Sequence, residues 1–272
     1  MTLNCLGTLV DLSTPKVMGI LNLTPNSFYD GGKYLNEDSI LKQVEKMVHE
    51  GADFIDLGAY SSKPSAEEVS EDEELKRLIP VLEKVLGNFP SLKISVDTFR
   101  AKVAKEGVQT GACIINDIAA GSLDPNMLAT IAELQVPYIM MHMKGSPKTM
   151  QSMAQYENIM IDLNFYFSEK VALARSLGIN DLIIDPGFGF AKTTEQNFEV
   201  LNHLELLQFH ELPLLVGLSR KSMIYKTLNT TAEFALNGTT VLNTIALQKG
   251  ANILRVHDVK EAVETIKILT QL

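Results

Sequence analysis

The sequence is poor in cysteine, and its two cysteines are far apart. Cys5 and Cys113 do not belong to a Cys-x-x-Cys pair or to a cluster of cysteine and histidine. Closely spaced sets of that kind are typical of disulfide frameworks and structural zinc sites. The cysteine content therefore supports neither of these as the basis of the fold.

Signals for membranes, secretion and polyanion binding are also missing. No run of about 18 apolar residues could span a bilayer, and residues 1–16 lack the basic and long apolar segments of a signal peptide. The chain has 24 basic and 33 acidic residues and a formal net charge of −9, which disfavours nucleic acid and acidic membrane surfaces as partners. We expect a cytoplasmic protein that acts on small molecules and binds any anion through a local group of cations.

What the sequence does contain is a regular alternation of short apolar runs and segments with helical spacing of apolar residues. The eight runs are 16–22, 54–59, 92–98, 113–118, 137–143, 182–187, 214–219 and 253–258. Alternation of this kind predicts a parallel α/β fold. We predict a (β/α)8 TIM barrel in a single domain over residues 1–272, since such barrels are typically about 250 residues long. The alternative is an open doubly wound sheet, although the chain lacks the GxGxxG and GxxxxGK[ST] motifs.

Several helix ends are marked by their residues. Ser70 and Glu73 predict a capping box, and Asp258 and Glu261 predict a looser one. Pro80 lies inside a helical pattern and predicts a kink.

Each apolar run ends in polar residues that a buried strand does not need for packing. In a barrel these ends converge on one face. Asp97 and Asn116 lie inside aliphatic runs, where an unpaired polar group costs about 1–3 kcal/mol, so each should meet a polar partner. Asp117 and Asp258 are more typical of turns and helix caps, and His142 is interpreted as barrel filling. The strand-end residues are Asn22, Asp56, Asp97, Asn116, Asp117, His142, Asp185, Ser219–Ser222, Arg255 and His257.

A cluster of cations follows the last two runs. Arg255 and His257 alternate along the last predicted strand, so both side chains face the same side. They join the Ser219–Ser222 tetrad after the seventh run, and barrels of this kind commonly hold phosphate at these two loops. We expect an anion site here. A Schiff-base aldolase with Lys221 as nucleophile is a competing chemistry, but the basic neighbours of Lys221 disfavour a neutral amine.

The sequence resembles the dihydropteroate synthase family over nearly its whole length. The resemblance implies a (β/α)8 barrel that joins 6-hydroxymethyl-7,8-dihydropterin diphosphate to para-aminobenzoate and releases diphosphate. It also implies Mg²⁺ as a cofactor and a homodimer formed by the later helices. The matching blocks are VMGILNLTPNSFYDGG (17–32), GAYSSKPSAEEVSEDEEL (58–75), ISVDTFRA (94–101), IINDI (114–118), MHMKGSPKTMQ (141–151), DPGFGFAK (185–192), LLVGLSRKSMI (214–224) and RVHDVKE (255–261).

The resemblance further implies roles for individual residues. For the pterin these are Asp97, Asn116, Asp185 and Lys221, with Met140, Phe190 and Gly217 lining that pocket. For the diphosphate they are Asn22, Ser62, Arg255 and His257, and Asn22 is also associated with Mg²⁺. For para-aminobenzoate they are Phe28, Lys63, Pro64 and Ser222. Lys221, Arg255 and His257 are implied as catalytic residues.

Two loops depart from the pattern of the family. Asn26 stands where an acid is usual, and Tyr60–Ser65 reads YSSKPS where ESTRPG is common. Lys63 keeps a positive charge but lacks the planar guanidinium that grips a carboxylate or phosphate with two N–H groups. We predict altered affinity for para-aminobenzoate or sulfonamides with pterin binding retained. Unchanged Michaelis constants and unchanged sulfonamide inhibition in Lys63→Arg would contradict this prediction.

Two other functions remain open. A methyltetrahydrofolate:corrinoid methyltransferase has a related barrel, although it has no reason to carry the cations of 219–222 and 255–257. A pterin-binding barrel without catalysis is the other alternative. In the segment 182–192, we interpret Asp185 as the carboxylate presented to the pterin and Lys192 as a surface charge.

Overall fold

The computed structural model describes residues 1–23, 29–30, 34–35, 37–60 and 69–272. Four residues with expected roles, Phe28, Ser62, Lys63 and Pro64, lie outside the described residues, as do the substituted positions Asn26 and Ser65. The roles of these residues stay predictions.

Short antiparallel strands and nine helices surround a set of parallel strands in the described part of the chain. The antiparallel strands are β1 (Thr2–Cys5), β2 (Thr8–Asp11), β4 (Tyr29–Asp30) and β5 (Tyr34–Leu35). The parallel strands are β3 (Lys16–Asn22), β6 (Phe54–Gly58), β7 (Lys93–Asp97), β8 (Ile114–Asp117), β9 (Tyr138–Met141), β10 (Leu182–Asp185), β11 (Leu215–Val216) and β12 (Ile253–Val256). The helices are α1 (Glu37–Glu50), α2 (Glu71–Asn88), α3 (Ala101–Thr110), α4 (Met127–Leu134), α5 (Ile159–Ser176), α6 (Thr194–Asn202), α7 (Ser222–Thr227), α8 (Leu236–Gln248) and α9 (Val259–Leu269).

The parallel strands form a barrel in which chain order is also spatial order. β3 pairs with β6, and the pairing continues through β7, β8, β9 and β10. β12 returns to pair with both β3 and β11. A single parallel bridge between Ile184 and Leu214 joins β10 to the residue before β11 and completes the circle. The predicted (β/α)8 barrel is confirmed, and the open doubly wound sheet is excluded because the sheet closes.

The β1–β2 hairpin covers the amino-terminal end of the barrel, which the sequence did not predict. Its buried side chains, Leu3, Cys5 and Val10, form one cluster with interior residues at the start of the barrel strands, such as Met18 and Cys113. Cys5 belongs to this cluster together with Cys113, so the two widely separated cysteines lie in the same part of the fold.

Helix ends agree only in part with the expectation. Ser70 accepts a hydrogen bond from the Glu73 N–H, as a cap should. Asp258 precedes α9 but makes no capping bond with its side chain. Pro80 lies within α2, which runs unbroken as a helix from Glu71 to Asn88. Within the described ranges, no helix combines the length and the apolar character needed to cross a membrane.

Candidate active site at the carboxyl ends of the strands

The carboxyl ends of four neighbouring strands carry residues that share one layer of the barrel. Asn22 pairs with Gly58, Gly58 with Asp97, and Asp97 with Asn116. Partner residues on parallel strands point to the same face of the sheet, so these residues all face the barrel axis. The Oδ1 atom of Asn22 and the Oδ2 atom of Asp97 each lie 3.6 Å from the point that a Cβ of residue 58 would occupy. Both oxygens therefore border the space above Gly58.

Arg255 connects two carboxylates at this end of the barrel. Its Nε donates to Asp56 Oδ2 at 2.6 Å, and its Nη2 donates to Asp97 Oδ2 at 2.7 Å. Asn116 Nδ2 also donates to Asp56 Oδ2, at 3.0 Å. Hydrogen bonds between charged groups are shorter and stronger than neutral ones. Asp97 and Arg255, which were expected in two different subsites, are therefore in direct contact.

Asp56 is a candidate that the sequence analysis noted at a strand end but gave no role. Its side chain is fully buried, and its Oδ1 has no hydrogen-bond partner among the described residues. The sequence could have identified Asp56 by its position two residues before Gly58, because residues two apart on a strand face the same side. A buried carboxylate needs a cation nearby, and Arg255 supplies it.

The carboxyl groups of the site are held in an environment that disfavours their charge. Burial raises the pKa of Asp97 to about 7, Arg255 opposes this rise, and Asp56 adds to it. Burial also raises the pKa of Asp185, with Lys221 as the main opposing charge. Perturbed carboxyl groups that share a cleft with cations are typical of functional sites.

The turn after β10 brings Asp185 and Lys221 together. Asp185 Oδ1 accepts a hydrogen bond from the Gly187 N–H at 2.7 Å. Gly187 adopts a φ of +68°, a backbone conformation that glycine takes at low cost. Lys221 Nζ donates to the Phe188 carbonyl oxygen and lies 5.1 Å from the centroid of the Phe190 ring. The turn expected at the glycines is confirmed, and Phe190 lies beside it.

Lys221 stays mostly protonated at neutral pH, as expected, but not for the expected reason. Burial lowers its pKa to about 8, and the negative charge of Asp185 opposes that shift. The positive charge of Arg255 lowers this pKa further, so the ammonium is favoured by Asp185 and not by basic neighbours. Its contact with a carbonyl oxygen and its closeness to Asp185 still suit an ammonium that donates hydrogen bonds.

Met140 does not face this site, contrary to the expectation. In the strand register, Met140 pairs with Asp117, while Met141 pairs with Asp185. Met140 is fully buried in the layer between strands and helices. Met141 instead packs in the cluster that includes Phe190. Since neighbouring residues of a strand point to opposite faces, Met141 is the methionine on the side of Asp185.

Lys192 and His142 form a buried pair, which overturns the interpretation of Lys192 as a surface charge. Lys192 is 9% exposed and His142 is 1% exposed, and Lys192 Nζ lies 3.0 Å from His142 Nδ1. Burial lowers the pKa of Lys192 to about 7. Burial, followed by the charge of Lys192, lowers the pKa of His142 to about 2. The imidazole is therefore neutral, and in the tautomer protonated at Nε2 its Nδ1 accepts from the lysine.

The residues of the cation cluster have different partners. Ser219 Oγ lies 3.0 Å from His257 Nδ1 and accepts from the His257 N–H at 3.2 Å. Arg220 Nε and Nη2 donate to the two carboxylate oxygens of Asp258 at 2.9 and 2.8 Å. Arg220 is therefore tied to Asp258 and contributes to structure, which also explains why Asp258 does not cap α9.

Two further expected residues lie at the same end of the barrel. Gly217 follows β11, and a Cβ at this position would lie 3.8 Å from Lys221 Nζ and 4.0 Å from Arg255 Cβ. Ser222 begins α7 and is half-buried. The absence of a side chain at Gly217 leaves space between the two cations.

Oxygen ligands at the strand ends suit a hard cation. Asn22 offers an amide oxygen to the space beside Gly58, and oxygen ligands are what Mg²⁺ prefers. In the part of the chain that the structure describes, no group of three or more histidine, cysteine, aspartate or glutamate residues could hold a metal. This donor set fits a Mg²⁺ ion that takes one or two protein ligands and completes its shell with substrate phosphate and water.

Comparison of the sequence and of the structure with known proteins gives the same family. Residues 18–257 match the family described as pterin binding enzyme. The chain is 45% identical over 265 residues to dihydropteroate synthase of Escherichia coli K12, which covers 97% of this chain and 93% of that protein. It is also similar to the crystal structure of Yersinia pestis dihydropteroate synthase with a sulfonamide drug complex, with a TM-score of 0.92, 44% identity and coverage of 100% and 98%. For the Xanthomonas albilineans dihydropteroate synthase in complex with 7,8-dihydropteroate, the TM-score is 0.89, the identity 35% and the coverage 100% and 98%.

Proposed function

The chain belongs to the dihydropteroate synthase family of pterin-binding enzymes, and we propose how the residues at its strand ends carry out that transferase reaction. The reaction joins 6-hydroxymethyl-7,8-dihydropterin diphosphate to para-aminobenzoate and gives 7,8-dihydropteroate and diphosphate. The observation that carries the proposal is the group of opposite charges at one end of the barrel. Arg255 bridges Asp56 and Asp97, and Asp185 and Lys221 contact the same turn.

In the proposed pterin subsite, each side chain complements one part of the ring. Asp97 and Asp185 accept hydrogen bonds from the guanidine-like edge of the pterin, and Asn116 can both donate and accept. Lys221 donates to the ring carbonyl or a ring nitrogen. Met141 takes the lining role first expected of Met140, because it lies on the side of Asp185.

In the proposed diphosphate subsite, Arg255 and His257 neutralise the leaving group. The pKa of His257 is lowered first by burial of its ring and then by the charge of Arg255. The negative charge of a bound diphosphate acts in the opposite direction and raises the pKa of His257. Asn22 would help to hold Mg²⁺, which when bound adds positive charge beside the phosphate oxygens.

The proposed chemistry needs no covalent enzyme intermediate. The bond between the pterin methylene carbon and the diphosphate oxygen breaks, and the methylene gains cationic character. The amino nitrogen of para-aminobenzoate attacks that carbon and then loses a proton. The protein therefore contributes chiefly by stabilising the departing negative charge and by positioning the two substrates.

We also propose that the protein works in the cytoplasm as a homodimer formed by the later helices. Large apolar side chains are exposed there, with Phe234 at 70%, Leu228 at 52% and Val241 at 49% of their surface. Exposed apolar groups of this size are typical of protein interfaces. A mass in solution of one chain, 30.0 kDa, at micromolar concentration would contradict this assembly.

The proposed function is tested by one assay on the purified chain. With dihydropterin diphosphate, para-aminobenzoate and Mg²⁺, we expect dihydropteroate and diphosphate in equal amounts, and chelation of the metal should reduce the rate at least about tenfold. Omitting para-aminobenzoate is the control. Pterin binding without product would favour the non-catalytic barrel, and methyl transfer that depends on a corrinoid would favour the methyltransferase.

A further inference from the structure

The buried amino group of Lys192 is surrounded by acceptors that follow the ends of two strands. Lys192 Nζ lies 3.0 Å from His142 Nδ1, and it donates to the Gly187 and Phe190 carbonyl oxygens, each at 3.1 Å. An ammonium has three N–H donors, and three acceptors are present. His142 follows β9, while Gly187 and Phe190 belong to the turn after β10, so this one side chain ties the turn to the neighbouring strand.

The turn that Lys192 holds carries contacts of both Asp185 and Lys221. The Gly187 N–H donates to the Asp185 carboxylate, and the Phe188 carbonyl accepts from Lys221. The space around the turn is tight, because a Cβ at Gly187 would lie 2.2 Å from the His142 carbonyl oxygen. A shift of the turn would therefore move one contact of each of the two groups.

A second contact holds the far side of the same turn. The Gly189 N–H donates to Asn197 Oδ1 at 2.7 Å, and Asn197 Nδ2 donates to the Thr193 carbonyl at 2.6 Å. Asn197 lies in α6 and is 3% exposed. Asn197 therefore holds the turn from the helix side, and Lys192 holds it from the strand side. Of the two side chains, only Lys192 can carry a charge.

We propose that Lys192 is a positioning residue for the pterin subsite, holding the turn of residues 186–190 against His142 so that Asp185 and Lys221 keep the spacing that the pterin ring requires. The inference rests on the proposed pterin roles of Asp185 and Lys221. Lys192 itself does not touch the substrate. Its charged and titratable neighbours are Asp185, Lys221, Lys144 and the neutral His142, so it also offsets part of the negative charge of Asp185.

The test is a comparison of pterin binding and para-aminobenzoate use in three variants. Lys192→Met keeps the length of the side chain and removes its donors, whereas Lys192→Arg keeps charge and donors. Lys105→Met is the matched control, since Lys105 in α3 pairs with Glu133 in α4 on the outside of the barrel, at a distance of 3.8 Å. We expect Lys192→Met to raise the dissociation constant for dihydropterin diphosphate about tenfold or more, as measured by calorimetry. The Michaelis constant for para-aminobenzoate at saturating pterin should stay within about twofold. Lys192→Arg should recover part of the affinity, and Lys105→Met should bind as the wild type.

Specific outcomes overturn the inference. A dissociation constant for Lys192→Met within about twofold of the wild type, measured on protein with normal thermal unfolding, means that the turn keeps its place without the lysine. Equal rises in both substrate constants mean a general structural role. If Lys192→Met does not fold, Lys192→Gln, which retains two N–H donors, takes its place with the same expected direction. A wild-type chain that fails to bind the pterin would refute the proposed function, whereas equal binding by wild type and variant refutes only the role of Lys192.

Discussion

Pterin affinity should fall about a hundredfold when Asp185 is replaced by asparagine. The carboxylate can accept two hydrogen bonds from the guanidine-like edge of the ring, whereas an amide can accept with only one of its two ends. A hydrogen bond to a charged group is worth about 1.5–3 kcal/mol, and about 1.4 kcal/mol corresponds to a factor of ten. Calorimetric titration with the dihydropterin diphosphate measures this loss directly.

Folding should be little affected by the same substitution. Burial raises the pKa of Asp185, so the folded protein does not favour the charge, and asparagine can still accept from the Gly187 N–H. Asp181→Asn is the matched control, because Asp181 accepts from the backbone N–H of Asn4 at 2.9 Å, at the opposite end of the barrel from the proposed site. Unchanged pterin affinity in Asp185→Asn would reduce Asp185 to an ordinary turn residue.

Loss of Arg255 should harm both catalysis and stability. Arg255→Met removes the cation that two carboxylates share, and Asp56 is fully buried. Breaking a buried ion pair by removing one partner costs about 3–5 kcal/mol. Removing a donor that stabilises developing charge typically lowers kcat about a hundredfold or more. Urea unfolding and steady-state kinetics measure the two effects separately.

A second variant separates the two roles of Arg255. Asp56→Asn combined with Arg255→Met removes the unpaired buried charge, so most of the lost stability should return while kcat stays low. Recovery of activity in the double variant would show that Arg255 serves folding alone. Wild-type stability in the single variant would mean that Asp56 is protonated or solvated when its partner is gone.

The barrel was predictable from the sequence because its signals are local. Eight aliphatic runs ending in polar residues, such as Asp97, Asn116 and Asp185, reflect alternation and strand ends that each short segment carries by itself. The β1–β2 hairpin was missed because its burial depends on residues far along the chain, among them Cys113. Local patterns do not reveal contacts of that range.

The wrong predictions within the site also concern contacts between residues that are far apart in the sequence. Met140 and Met141 are adjacent, and a shift of one residue in a strand exchanges the faces of every side chain. Only the pairing of Met141 with Asp185 resolves the choice. Lys192 and Asp258 look like a surface charge and a helix cap, since their partners, His142 and Arg220, lie 50 and 38 positions away.

The wall of the barrel has a seam between β10 and β11, where β11 is two residues long and one bridge joins Ile184 to Leu214. Asp185 stands on one side of that seam, and Lys221 follows the strand on the other side. A ligand held by both residues connects the two strands at a level where the backbone has no bridge. Because such a ligand binds the folded barrel and not the unfolded chain, bound substrate should stabilise the fold on both sides of this seam.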